Sequence, residues 1–108
     1  MKRGEVWWVE FDPAVGSEIA KRRPAIIVSN DSANRNLSRV IVIPVTSTTS
    51  RVYPGETLVK IGTQTSKAMA DQIMAADKTR LKSLLGVLSK SDLQLVEHAI
   101  CIQLCLAV

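Results

Sequence analysis

The chain has 108 residues, 46% hydrophobic and 22% charged, which suits one core rather than two and excludes collagen-like, coiled-coil and disordered organisation. Lys and Arg number 14 against 10 Asp and Glu, a net charge of +4 that admits a polyanionic partner without demanding one. One His, two Cys, two Trp, one Tyr and one Phe cannot supply a paired-histidine zinc site within one protomer, a disulfide scaffold or a broad base-stacking sheet.

The chain opens Met1-Lys2-Arg3-Gly4-Glu5, with no apolar segment behind its charges, so no signal peptide is expected. No stretch reaches the roughly 18 uninterrupted apolar residues of a membrane span, and the chain reads as cytoplasmic with reduced cysteines. Val6-Trp7-Trp8-Val9-Glu10-Phe11 is rich in strand formers and ends at the turn signal Asp12-Pro13. Its two Trp alternate faces. One belongs in the core, the other at a dimer interface or under a loop. Pro24-Ala25-Ile26-Ile27-Val28-Ser29 is a second apolar run, and Asn30-Asp31 stops it and can cap a short helical turn. Residues 39–45 read as a buried strand, with Pro44 marking its end or a bulge. Residues 46–51 form a polar loop, and residues 57–61 and 67–75 are further strand candidates.

The last part changes character. Ser91-Asp92-Leu93-Gln94 fits a capping box, with Ser91 as N-cap and Gln94 at the third position. Leu93, Val96, Ile100 and Leu104 follow at helical spacing, and Leu95, Ala99, Ile102 and Leu106 widen the apolar surface past half the circumference. One face can pack on a sheet; the remainder asks for a second chain, so a homodimer is expected. Strands followed by a helix make residues 1–108 a single α+β domain, or a β-barrel with a terminal helix. His98, Cys101 and Cys105 share a stripe of this helix, but the stripe is otherwise apolar and a fourth ligand is missing, so no metal site is expected.

Gly16-Ser17-Glu18-Ile19-Ala20-Lys21-Arg22-Arg23-Pro24 joins the first two strands. Three adjacent cations repel one another unless solvent or a counter-anion intervenes. Pro24 keeps Arg23 out of the helical region and so aims it at a strand start. Glu18 is the one carboxylate of the loop. A carboxylate and a guanidinium converging on one pocket can handle a proton and a phosphate; a solvated charge run with a surface ion pair is the plainer account.

These segments resemble the MazF/PemK family of toxin ribonucleases. The resemblance runs through Arg3-Gly4-Glu5-Val6-Trp7-Trp8-Val9, Asp12-Pro13, Gly16-Ser17-Glu18, Arg23-Pro24 and Val28-Ser29-Asn30-Asp31. It continues through Asn34-Arg35, Pro44-Val45-Thr46-Ser47, Asp71-Gln72-Ile73, Asp77-Lys78-Thr79-Arg80-Leu81 and Gly86-Val87-Leu88. It implies a small SH3-like β-barrel with helices, assembled as a homodimer. It also implies metal-independent, cofactor-free cleavage of single-stranded RNA at short motifs, and an antitoxin whose acidic, disordered tail covers the RNA groove. DNA would be met only through that antitoxin. A non-catalytic relative on the same fold that poisons a protein such as DNA gyrase is the alternative.

By the same resemblance Arg23 is the catalytic arginine, stabilising charge on phosphorus with a planar fork of donors. Thr46 is a hydroxyl donor to a non-bridging oxygen, in competition with a plain turn-forming role. Glu18 is either the general base or an ion-pair partner that orients Arg23. Ser17 stands where some members carry a His, and Met69 where they carry an Arg, so the chain departs from the His/Arg/Asp variant of the mechanism. Asp71 and Gln72 are placed in substrate contact, where their edges can read bases. Lys21, Arg22, Ser47 and Arg51 are candidate phosphate contacts.

Overall fold

The structure is a computed structural model and describes residues 1–11 and 22–107. Among these residues seven strands and two α-helices follow in order. They are β1 (Glu5–Glu10), β2 (Arg22–Ile27), α1 (Asp31–Asn36), β3 (Arg39–Thr46), β4 (Glu56–Ile61), β5 (Gln64–Met69), β6 (Met74–Asp77), β7 (Leu81–Val87) and α2 (Lys90–Leu104). All pairings are antiparallel, and the sheet runs β4-β5-β3-β2-β1-β7, with β6 also on β3. The sheet curls until its ends meet: Ile61 of β4 lies 3.8 Å from where a Cβ on Gly86 of β7 would stand. The result is the expected small, half-closed barrel with one C-terminal helix.

The central strands β1, β2 and β3 carry apolar runs because the sheet is buried there on both faces. One face collects Val6, Ile26, Ile43 and Val45 under Val96 and Ala99 of α2. The other collects Val9, Ala25, Ile27, Val40 and Val42, with Ala76, Leu81, Trp7 and Phe11. Strand alternation explains the division, since odd and even positions of β1, β2 and β3 go to opposite faces. Of the two tryptophans, Trp7 packs on the second cluster and donates its ring N–H to Glu5 at 3.0 Å, while Trp8 is half-buried on the other side.

Three readings of the sequence need correction. Residues 67–75 are not one strand: β5 ends at Met69, a 3-10 turn occupies Ala70–Gln72, and β6 begins at Met74. The reason lies on β3, which pairs with β6 through Val42 and with β5 from Val45 onward. Pro44 falls in the gap, where it has no N–H to give to either neighbour, so it marks a change of partner inside β3. Second, the N-cap of α2 is Ser89, whose hydroxyl accepts from the Asp92 N–H at 3.1 Å, one turn-fraction before the expected Ser91. Asp92 does not complete a capping box; it accepts from the Lys60 N–H at 2.8 Å and so covers the edge strand β4. Third, α2 ends at Leu104 with Cys105 in the left-handed region, so Leu106 lies beyond the helix. The strand β7 escaped the sequence reading because its residues are mostly exposed and its pairing with β1 is interrupted twice.

As expected, Asn30 caps α1, accepting from the Ala33 N–H at 2.8 Å. The apolar surface of α2 divides: Leu93 and Ile100 pack against the core beside Val96 and Ala99, while Leu95, Ile102 and Leu104 are exposed. No helix among the described residues is long and apolar enough to cross a membrane.

Candidate functional site

The Val28 N–H donates to the Ile41 carbonyl, so counting back by twos, Ile26 and Pro24 also turn their backbone nitrogens toward β3. Pro24 has no hydrogen to donate, and the β2–β3 ladder stops at Ala25 and Pro44. Carried two residues further, that register sets Arg23 across from Thr46. Val9 lies opposite Arg23 on β1, and Lys67 lies opposite Thr46 on β5. One row thus crosses four strands as Val9, Arg23, Thr46 and Lys67, on the face turned away from α2. Beyond the apolar Val9 the row is polar, with Arg23 exposed and Thr46 half-buried.

Asp71 and Gln72 sit on the Ala70–Gln72 turn that bridges the gap beside Pro44, and both are exposed. Ala70 anchors the turn, being buried and donating to the Gly55 carbonyl at 3.0 Å. Gln72 donates to the Met69 sulfur at 3.5 Å. The turn is therefore brought beside the strand that ends in Thr46. Ser47 follows Thr46 directly and is exposed, and the Thr46 hydroxyl accepts from the Thr48 N–H at 3.3 Å, so Thr46 also starts the next loop. Arg51 is exposed on that loop and donates to the Tyr53 hydroxyl at 3.3 Å.

Arg22 is not brought to the same place. It alternates to the face opposite Arg23 and lies 3.7 Å from Glu10, its partner on β1, with both side chains about half exposed. Such a pair adds little stability. Ser17, Glu18 and Lys21, like the turn signal Asp12-Pro13, lie outside the described residues. On α2, His98 and Cys105 are exposed and Cys101 is half-buried, and no group of three His, Cys, Asp or Glu among the described residues is placed to hold a metal ion. The sequence reading passed over Lys67, Glu56 and Tyr53. Only the pairing of β4, β5 and β3 brings them to this end of the barrel, and no local spacing signals that.

Among the described residues, the carboxyls with depressed pKa values are elsewhere and serve the fold. At Glu5, burial works upward but is outweighed by hydrogen bonds from the Trp7 ring and the Lys2 N–H, and the result lies below the ordinary value. Asp31 is held low chiefly by the Arg3 N–H and then by the Asn34 amide, and Asp77 by the N–H and hydroxyl of Thr79.

Solved structures with this build include toxin endoribonucleases. A mycobacterial endoribonuclease, solved in complex with its cognate antitoxin, superposes with a TM-score of 0.82 at 26% identity, over 100% of this chain and 98% of its own. MazF of Deinococcus radiodurans gives 0.82 at 26% identity, over 98% of this chain and 97% of its own. In sequence, residues 2–104 match the family of PemK-like, MazF-like toxins of type II toxin–antitoxin systems. Endoribonuclease MazF9 of Mycobacterium tuberculosis is 39% identical over 93% of this chain and 92% of its own length. The endoribonuclease toxin MazF of Escherichia coli is 34% identical over 90% and 87%. The chain belongs to this MazF/PemK family of endoribonuclease toxins.

Proposed function

We propose that this chain cleaves single-stranded RNA at short sequence motifs without a metal ion, and so inhibits translation and growth. RNA carries its own nucleophile. The 2′-OH loses its proton to a base, its oxygen bonds to phosphorus, and the bond to the 5′-oxygen breaks as that oxygen takes a proton. The products are a 2′,3′-cyclic phosphate, or the 3′-phosphate formed from it, and a 5′-OH. The observation that carries this reading is the β2–β3 register, which, carried two residues past Ala25 and Pro44, sets the exposed Arg23 across from Thr46.

In this reading Arg23 stabilises the charge gathering on the phosphate oxygens, where a fixed guanidinium acts most strongly. A side chain with a pKa above about 12 serves that role better than proton transfer. Thr46 donates its hydroxyl to a non-bridging oxygen. Glu18 takes the 2′-OH proton or orients Arg23. Asp71 and Gln72 present base-reading edges from their turn, and Ser47 and Arg51, with Ser17 and Lys21, contact the backbone, while Arg22 on the opposite face is left out. The exposed Leu95, Ile102 and Leu104 of α2, with Leu84, Leu85 and Val87 of β7, support a homodimer. The cognate antitoxin is the second partner, its acidic tail drawn to the basic groove, and DNA is reached only through it. A cytoplasmic site of action goes with this reading, since translated RNA is found there.

The test is incubation with a defined long RNA, with and without EDTA, followed by mapping of 5′-OH ends. Cleavage at a recurring motif that persists in EDTA is expected, and Arg23→Ala should lower the rate by about 10²–10³-fold. Full activity in a folded Arg23→Ala protein removes Arg23 from the chemistry. No cleavage by the wild-type chain, with inhibition of gyrase instead, overturns the reading altogether.

A further inference from the structure

Lys67 lies opposite Thr46, on the row that the β2–β3 register extends to Arg23, yet the cleavage chemistry above does not use it. Its ammonium is 3.4 Å from the Glu56 carboxylate, and the two side chains are only 12% and 9% exposed. An ion pair this far out of water is screened much less than a surface pair. Each partner also holds the chain between β3 and β4. The Lys67 ammonium donates to the Arg51 carbonyl at 3.0 Å. Glu56 Oε1 accepts from the Tyr53 N–H at 2.9 Å, and the Glu56 N–H donates to the Tyr53 carbonyl at 2.8 Å.

The segment so gripped starts beside Thr46 and carries the Arg51 guanidinium and the Tyr53 ring, which is 56% exposed. We propose that Lys67 and Glu56 are positioning residues for motif recognition, a clamp that fixes Arg51 and Tyr53 next to the Arg23–Thr46 row. The proposal rests on the RNA-cleaving reading above and names what sets its selectivity. An apolar pair would fill the same space, but it could not bind the Arg51 carbonyl and the Tyr53 N–H. With the clamp, the segment is ordered on folding, and RNA meets a preformed surface. Without it, binding must order the segment as well, which weakens association and lets other sequences compete. Neither residue acts on the scissile phosphate, so the chemical step is untouched.

Lys67→Met keeps the stem and removes the charge. It should raise KM for motif-bearing RNA about tenfold with kcat within about twofold, and admit cuts at sequences the wild type ignores. Lys67→Arg, which keeps both donors, should keep the motif. The exchanged pair Glu56→Lys with Lys67→Glu should regain thermal stability but not the motif, because an ammonium has no lone pair for the Tyr53 N–H. An unchanged KM and motif in Lys67→Met overturns the proposal, and so does recovery of the motif in the exchanged pair. Hydrogen exchange supplies a readout that needs no RNA: the Tyr53 amide should be protected in the wild type and lose protection in Lys67→Met. If the wild type fails to cut RNA, the cleavage reading falls, while protection at Tyr53 still decides whether the clamp exists. Unchanged protection at Tyr53 in Lys67→Met removes the clamp whatever the RNA results.

Discussion

The two faces of the sheet are built from the same strands; the face away from α2 also holds internally tied charge, in Glu5 and in the Lys67–Glu56 pair, but beside it the Arg23 end of β2 is exposed. On the helix side, charges near the core are tied to partners inside the molecule. Arg3 donates to the Val28 carbonyl at 3.0 Å and to Glu97 at 2.7 Å, Asp92 accepts from the Lys60 N–H at 2.8 Å, and the buried Asn34 bonds Ser29 and Asp31. On the other side the apolar cluster runs along β1, β2 and β3 until Val9, and there the row turns to the exposed Arg23 and, by the register carried on from Ala25 and Pro44, to Thr46. Polar groups that are internally satisfied stabilise a fold; polar groups held on rigid strands and left facing solvent can bind something else. The difference separates scaffold from site by chemistry as well as by place.

The sharpest way to break this division is to measure stability on both sides. Ile43 is fully buried on the helix side, and Ile43→Ala should destabilise the protein by about 3 kcal/mol through lost burial and the cavity left behind. Arg23 is exposed, and Arg23→Ala should change stability by less than about 0.5 kcal/mol while cleavage falls as stated above. Urea denaturation of the two variants checks both values. A large loss of stability in Arg23→Ala would place that side chain in the scaffold.

Much of the fold was legible because hydrophobic runs and caps are local signals. Residues 6–11, 24–29 and 39–45 announced β1, β2 and β3, and Asn30 announced α1. What failed was non-local. The break after Met69 follows from β3 changing partner at Pro44, which a proline in a β-branched run does not reveal by itself. The true cap Ser89 and the false one Ser91 differ only in where the chain leaves β7. At the candidate site, the place of Arg23 near the start of β2 was legible because Pro24 stands next to it. Lys67 and Glu56 were not, since each looks like any charged strand residue until the register places them together.

A smaller effect is expected where the chain enters the helix-side core. Gly4 is buried with φ +91, donates to the Ile27 carbonyl at 2.8 Å and accepts from the Leu88 N–H at 2.9 Å. An added Cβ would stand 3.5 Å from the Leu93 side chain, an ordinary contact, so the objection to a side chain here is the backbone conformation. Gly4→Ala should therefore destabilise by roughly 1–2 kcal/mol, the strain of a left-handed L-residue. Thermal unfolding of this variant beside Gly62→Ala separates strain from crowding, since Gly62 has φ +63 and nothing near its Cβ position. Similar losses in both variants are the expected result, and a much larger loss at Gly4 would point to crowding in the core.

The smallest effect is the acid one, and it can be assigned to named carboxylates. Asp31 belongs to the helix-side network, where the Arg3 N–H holds its carboxylate at 2.8 Å; Asp77 lies on β6, where the Thr79 N–H does so at 2.9 Å. Both carboxyls lie below their ordinary value of 3.8 when folded. A depressed folded pKa means that the stabilisation is fully present above the unfolded value and is lost as pH falls through the folded one. These two groups therefore leave Tm level between pH 5 and 7, and Tm should begin to drop as pH passes about 3.8. Asp31→Asn and Asp77→Asn should each flatten part of that drop. NMR shifts of the Arg3 and Thr79 amides, followed through the same range, report which carboxylate has taken its proton. Asp77 lies opposite Arg39, so by strand alternation it turns to the same face as Ile43; both variants are therefore expected to flatten the drop, and a drop unchanged in both would remove these carboxylates from the scaffold.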